Sequence, residues 1–273
     1  MEFMTITTWL KRAQAQLEAM GIATARLDTL VLLEDELHTD RTHLLAHPEI
    51  KLTSQNIKVL GTQIARRANH EPLAYVRGRT EFYGREFIVS PAVLEPRPES
   101  ETMIKLLKQA DLPASPHIAD VGTGSGALGI TAQLELPNAQ VDLVEIDPKA
   151  LQIAKQNVIK YTTGVQLIKS DLLSAATRQY DVLLCNLPYV PDDHTINQAA
   201  MHEPKIAIFG GPDGLDIYRH LFEQIKNLEA KPLLILTESL PPQHNGLAVI
   251  ARSAGYNQQK EDDFIQVFAP AKI

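Results

Sequence analysis

The stretch HIADVGTGSGALGITAQLELPNAQVDLVEID, residues 117–147, decides the fold of this chain. An apolar strand, HIADVG, runs into the turn Asp120-Val121-Gly122-Thr123-Gly124-Ser125-Gly126, then a helix, GALGITAQLEL, then a second strand, QVDLVEID. Strand, glycine turn, helix and strand together make a βαβ unit. Glycines let the backbone turn tightly and approach a ligand, and the first amides of the helix are free to meet polar groups. Gly124 to Gly129 also matches the spacing G-x-G-x-x-G, with Glu145 about twenty positions on, as in dinucleotide folds. An acidic residue there suits the ribose of NAD or of S-adenosylmethionine equally well. The Asp-x-Gly-x-Gly-x-Gly form favours S-adenosylmethionine, but the loop alone defines only a nucleoside-containing cofactor.

Downstream the alternation continues: the helix PKALQIAKQNVIKY, the strand VQLIKSD, a short helical piece, and the strand YDVLLCN. A helix near 214–228 precedes the strand PLLILTES, and GYNQQK with DFIQVFAP reads as a terminal antiparallel hairpin. Such alternation predicts a doubly wound α/β sheet that binds ligands beyond the carboxyl ends of its strands.

Upstream the pattern changes. Residues 5–69 read as a helical bundle with Trp9 in its core, ending near Glu71-Pro72. One helix places Leu27, Leu30, Val31, Leu33 and Leu37 on an apolar stripe, and another places Ile57, Leu60, Ile64 and Ala65 at helical spacing. TEFYGREFIV, residues 80–89, reads as a hairpin around Gly84, and Glu95-Pro96-Arg97-Pro98 breaks the chain before the helix SETMIKLLKQA. The expected organisation is a helical domain over 1–76, a hairpin linker over 77–97 and a catalytic domain over 98–273.

Composition narrows the class. At 273 residues, 44% apolar and 22% charged, the chain has the profile of an ordinary globular protein. No run approaches the ~20 apolar residues of a membrane span. The opening MEFMTITTWLKRAQ lacks a secretory signal, and one cysteine, Cys185, cannot form an internal disulfide, which together predict a cytoplasmic protein. Residues 1–79 hold ten Lys/Arg against nine Asp/Glu; residues 80–273 hold sixteen against twenty-four, a net −8 of the total −7. An acidic catalytic half argues against a nucleic-acid substrate, which needs phosphate neutralisation.

Asn186-Leu187-Pro188-Tyr189 follows the strand YDVLLC, where the ligand crevice is expected. An amide nitrogen is a poor nucleophile because its lone pair is delocalised, so a site that methylates it must hold both N–H bonds. The Asn186 side-chain oxygen and the Leu187 carbonyl are two acceptors able to do so, orienting the nitrogen and stabilising developing charge. Tyr189 offers a flat ring for a planar amide, and Pro188 stiffens the turn. The exocyclic N6 of adenine is also planar and conjugated, so a nucleic-acid adenine methyltransferase is the alternative. A cofactor-binding homologue without turnover is a third reading.

The chain resembles the HemK/PrmC family of protein-(glutamine N(5)) methyltransferases. The resemblance rests on DRTHLLAHPE and EPLAYVRG near the start, EFYGREFIVSPAVLEPRPESE in the linker, and DVGTGSGALGI, YDVLLCNLPYVP and EPKIAIFGGPDGLDIYRHL beyond. It implies a Rossmann-like, seven-stranded class I methyltransferase domain joined through a hairpin to a small N-terminal helical bundle; that bundle, nearly neutral and without a cofactor loop, is expected to recognise the substrate. It places S-adenosyl-L-methionine, which leaves as S-adenosyl-L-homocysteine, on Asp120 and Gly122 to Gly126, with Glu145 at the ribose and Asp171-Leu172 near the adenine. Asn186, also beside the cofactor, through Tyr189 would hold the amide. The implied partner is a class 1 peptide chain release factor, methylated on the glutamine of its GGQ loop.

Four departures from the family pattern stand out. Leu187 replaces the first proline of Asn-Pro-Pro-Tyr, and Glu95 stands where an apolar residue is usual. Glu238-Ser239-Leu240-Pro241-Pro242-Gln243 lacks the glycine of Glu-x-Gly-x-x-Gln, and residues 261–264 lack the customary glycine and arginine. Arg97 and Glu99 are read as capping or linker ion-pair residues, with a catalytic role as the alternative, and Cys185 as a buried apolar residue. His43 and His47, four apart, show no third metal ligand in the sequence.

Overall fold

The computed structural model describes residues 4–176 and 178–271 and divides into two compact units. One comprises residues up to Gly78 together with Asn197–His202; the other comprises Arg79–Ile196 and Glu203 onward.

The first unit contains α1 (Ile6–Ala19), α2 (Ala25–Leu37), α3 (Arg41–Ala46), α4 (Ser54–Ala68) and α5 (Leu73–Arg77). Thr5, Asp40 and Thr53 cap α1, α3 and α4 through their side-chain oxygens, each satisfying an amide that the helix leaves unpaired. Ile6, Trp9, Leu17, Leu33, Leu60 and Ile64 form the core. The buried stripe of α2 differs from the apolar reading: it runs Ala25, Asp28, Thr29, Leu32, Leu33, with Leu30 beside it, while Leu27 is 48% exposed. The polar members hid this stripe. Asp28 is buried because Arg67 Nε (2.6 Å) and Thr24 Oγ1 (2.9 Å) both donate to it. On α4, Ala68 rather than Ala65 continues the buried row of Leu60 and Ile64. The helical region also extends past Pro72 into α5, which Arg66 ties down by donating to Glu71 and to the carbonyls of Tyr75 and Val76.

The second unit opens with a hairpin, β1 (Arg79–Phe82) and β2 (Arg85–Ile88), turning through Tyr83-Gly84, and continues with α6 (Glu101–Gln109). Then follow β3 (His117–Val121), α7 (Ala127–Glu135), β4 (Gln140–Glu145), α8 (Pro148–Tyr161), β5 (Gln166–Lys169) and β6 (Val182–Cys185). The chain ends with α9 (Asp216–Lys226), β7 (Leu234–Glu238), α10 (His244–Ser253), β8 (Tyr256–Asp262) and β9 (Ile265–Pro270). The short helical piece expected between VQLIKSD and YDVLLCN is absent over 172–175, which are turns: the Ala175 amide donates to Ser170 Oγ and the Ser174 amide to the Asp171 carbonyl instead of opening a helix.

The seven strands lie in the order β5-β4-β3-β6-β7-β9-β8, parallel except for β9, which is antiparallel to both neighbours. The alternating pleat sends Val182 and Leu184 into one core, with Met103, Ile104 and Leu128. Leu183 and Cys185 enter the other, with Tyr218, Leu221 and Phe222. All four β6 residues are fully buried, and each such apolar side chain contributes about 1.5–3 kcal/mol. The turn between β8 and β9 requires a left-handed residue; Asp263 takes that role at φ 53°, which Asp tolerates, so the missing glycine is accommodated. Among the described residues no helix is long and apolar enough to cross a membrane.

Candidate active site

Gly122, Thr123, Gly124, Ser125, Asp120, Glu145, Asp171, Leu172, Asn186, Leu187 and Pro188 all line one cleft at the carboxyl ends of β3, β4, β5 and β6. The topology explains this convergence, since these strands are adjacent and parallel. Gly126 and Tyr189 are not among the lining residues. Gly126 instead opens α7 at φ 82°, against Ile130, Leu143 and Ala154, where an added Cβ would be crowded.

The glycine loop is held from three sides. Gly122 and Thr123 amides donate to the Val144 carbonyl at 2.8 and 3.0 Å. Asp120 Oδ2 accepts from Thr123 Oγ1 (2.5 Å) and from the Gly129 amide (2.8 Å), so its carboxylate staples the loop to α7. Asn157, fully buried on α8, donates to the Ser125 carbonyl (2.8 Å) and exchanges bonds with the Ile88 backbone, pinning the hairpin to the loop. Gly129 lies against Leu143 and Asp120, where a Cβ would come within 2.3 Å of Leu143 Cδ2. At Gly124, by contrast, a Cβ would meet nothing within 4 Å. The loop is therefore packed beneath and open toward the cleft.

Burial raises the Asp120 carboxyl to about 6, opposed by its bonds to Thr123 and Gly129. A carboxyl raised in the fold stabilises it fully below the unfolded value near 3.8, and that stability is lost as pH rises through about 6. On going from pH 7 to pH 5 this one group should add about 1 kcal/mol of stability. Denaturant titrations at the two pH values should show that increment in the native protein and lack it in Asp120→Asn; an equal increment in both would exclude Asp120 as its source.

Glu145 ends β4 with its carboxylate fixed by three amides: Ile146 (2.9 Å) and Asp147 (3.0 Å) on one oxygen, Gly124 (2.9 Å) on the other. A carboxylate has about four acceptor positions, so one stays available on the Gly124 side. Leu172, at the adjoining strand end, adopts φ 48°.

Asn186, Leu187 and Pro188 leave β6 into the cleft. Leu187, in place of the family's proline, is buried over the glycine loop, 2.9 Å from where a Gly122 Cβ would lie. The rigidity that proline would give comes from elsewhere. Val190 donates to the Ile208 carbonyl (3.0 Å), Gly210 donates to that of Val190 (2.9 Å), and Gln243 Nε2 bridges the Tyr189 and Asp213 carbonyls (2.7 and 2.8 Å). Gln243 is oriented by accepting from the Leu240 amide at 2.9 Å, in the turn where Pro241-Pro242 stand instead of the glycine pattern. Gly210 to Asp216, the segment GGPDGLD, is thus the bracket of the Asn186–Tyr189 loop.

Two residues beneath that loop were missed in the sequence. Glu238, at the end of β7, accepts from Ser100 Oγ (2.6 Å) and Tyr189 Oη (3.1 Å), and Asn186 Nδ2 donates to Ser100 Oγ (2.9 Å). Burial pushes the Glu238 carboxyl upward, opposed by donation from Ser100, Tyr189 and Asn186. Burial, with Glu238 close by, raises the Tyr189 phenol, so it stays a donor. Arg97 is an ion-pair residue: it forks onto the buried Glu203 at 2.8 Å, and Glu95 accepts from Thr80 Oγ1 at 3.0 Å. Cys185 is buried, its thiol pushed well up by that burial. The His43 and His47 rings lie 4.5 Å apart, tilted by 46°, and no cluster of three or more metal-ligating side chains occurs among the described residues.

The sheet order, with an antiparallel strand inserted before the last, and a glycine-loop cleft at the strand ends define a class I methyltransferase domain. A Pyrococcus furiosus methyltransferase shares the fold at a TM-score of 0.52 and 18% identity, over 78% of this chain and 100% of that one. A Thermus thermophilus 16S rRNA N2 methyltransferase in complex with AdoMet and guanosine does so at 0.51 and 18%, over 71% and 50%. Residues 8–78 match the PrmC N-terminal domain and residues 98–203 the methyltransferase small domain. A release factor glutamine methyltransferase of Koribacter versatilis is 41% identical over 228 residues, 81% of each chain, and one of Moorella thermoacetica is 35% identical over 96% of this chain and 95% of its own. A bifunctional methyltransferase of Rickettsia bellii is 31% identical, but this chain spans only 51% of it. The chain belongs to the HemK/PrmC family of release factor glutamine methyltransferases.

Proposed function

We propose that this protein transfers a methyl group from S-adenosyl-L-methionine to the side-chain amide of the GGQ-loop glutamine in a peptide chain release factor. The observation that carries the reading is the polarity of Asn186: its Nδ2 is engaged beneath the loop by Ser100, which leaves Oδ1 as an acceptor for the cleft. A substrate with two N–H bonds and no charge fits that acceptor together with the Leu187 carbonyl. These contacts aim the nitrogen and strengthen as it gains positive charge. Once methylated, the nitrogen would be acidic and would lose its proton to water, so Asn186 and the Leu187 carbonyl need only hold and orient the amide, with no dedicated base. S-adenosyl-L-methionine, when bound, supplies the electrophilic methyl and leaves as S-adenosyl-L-homocysteine.

The cleft fits that cofactor: Gly124 is open to close approach, and Glu145 keeps an acceptor for ribose hydroxyls. Glu145→Ala is expected to weaken cofactor binding by about 1.5–3 kcal/mol, the range for hydrogen bonds to a charged group. Unchanged affinity by calorimetry in a folded variant would remove Glu145 from the site.

The helical unit, nearly neutral and without a cofactor loop, is assigned to substrate recognition, because one exposed glutamine offers too few contacts for specificity. A chain beginning near Thr80 should bind cofactor yet lose most activity on an intact release factor; full activity there would end this assignment. The function itself is tested by offering release factor and ribosomal RNA side by side with labelled cofactor. Label is expected in the protein; label in the RNA alone would replace the reading with adenine methylation.

A further inference from the structure

We infer that Ser100 and Glu238 are positioning residues that set the hydrogen-bond polarity of the acceptor slot by dictating which end of the Asn186 amide faces the substrate. The inference rests on the glutamine-amide reading and adds two residues to it. Ser100 and Glu238 are 3% and 1% exposed, so water cannot substitute for their partners. A hydroxyl has one proton. Ser100 commits it to Glu238 Oε2 at 2.6 Å and must therefore accept, which it does from Asn186 Nδ2 at 2.9 Å. The other carboxylate oxygen takes the Tyr189 hydroxyl at 3.1 Å. One buried carboxylate thus fixes the two side chains that flank the Leu187-Pro188 turn.

The backbone around this carboxylate is fixed too. Tyr218, fully buried, shares its one hydroxyl proton between the Glu238 and Cys185 carbonyls, at 2.6 and 2.9 Å, and so ties the ends of β7 and β6 together. The network has a direction: carboxylate, hydroxyl acceptor, amide donor, and an outward oxygen. Replacing Glu238 by its neutral amide reverses it. In Glu238→Gln the new side-chain Nε2 would donate to Ser100, and Ser100 would turn its proton on Asn186 Oδ1. Asn186 would then present N–H groups to a substrate that also presents N–H groups.

Glu238→Gln is expected to lower kcat about 100-fold on a release factor with cofactor affinity unchanged, and Ser100→Ala about 10-fold. Ser100→Thr, which keeps the hydroxyl, should recover most of the Ser100→Ala loss. The kcat of the native protein should fall as acid protonates Glu238, and that limb should be absent in Glu238→Gln. A Glu238→Gln protein that melts normally, binds cofactor and keeps kcat within twofold overturns the inference. If the native protein fails to methylate any release factor, the proposed function falls, but the network is still read by NMR. Hydrogen exchange of the Asn186 side-chain amide should be at least tenfold faster in Glu238→Gln and Ser100→Ala than in the native protein. Equal exchange in all three overturns the positioning role whatever the substrate.

Discussion

Asn186→Ala is expected to reduce turnover by about 100-fold or more, the scale for one preorganised acceptor that stabilises charge in a transition state. The side chain supplies an oxygen at the end of β6, and no other side chain among the described residues lining the cleft is held by Ser100 to replace it. Alanine also frees Ser100 Oγ of its donor, but Ser100 keeps its bond to Glu238, so stability should change little. Cofactor affinity should stay within a few-fold, because Glu145 and the glycine loop are anchored through other groups. Steady-state kinetics with calorimetry and a thermal melt separate these effects. Near-normal turnover in a folded variant would rule out Asn186 as the amide acceptor.

The second large effect is expected at Gly214. It sits at φ 76°, and an added Cβ would lie 2.0 Å from the Tyr189 carbonyl oxygen and 2.3 Å from Gln243 Nε2. The left-handed backbone alone costs a side chain about 1–2 kcal/mol. The clash must also push the Asn186–Tyr189 loop off its bracket. A displacement on the order of 1 Å at a reacting group can cost about 100-fold in rate, and Gly214→Ala should lose at least that. Gly164→Ala, at ordinary φ and in open space, is the control. Gly214→Ala activity within a few-fold of the control would show that GGPDGLD does not hold the loop.

The α/β half was legible because its central strands are buried on both faces. Val182–Cys185 and the apolar strand before the glycine loop read as short apolar runs, which few other settings permit. The cleft was legible because Glu145 ends a strand and Gly122 and Asn186 each directly follow one, and strand ends converge in this topology. What failed was whatever depends on polar groups inside. The buried stripe of α2 includes Asp28 and Thr29, so apolar spacing pointed to Leu27 instead. α10 was not anticipated: it follows Pro241-Pro242, which form its lead-in turn, and it holds Gly246 within it. Ser100 and Glu238 are 138 residues apart and meet because α6 starts beside the end of β7. No local spacing carries that contact. The four departures from the family pattern have structural counterweights at three places: the bracket around Leu187, the Gln243 bridge, and Asp263 in its left-handed turn. Glu95, at the fourth, bonds Thr80 within the linker.

The methyl group is expected on a glutamine side-chain amide. This is tested most directly by incubating the protein with S-adenosyl-L-methionine and an intact class 1 release factor, then fragmenting the product in a mass spectrometer. A single added methyl is expected on the nitrogen of the GGQ glutamine, absent when that glutamine is replaced and lost with Asn186→Ala. A methyl group on any other residue, or on ribosomal RNA while the release factor stays unmodified, would contradict it.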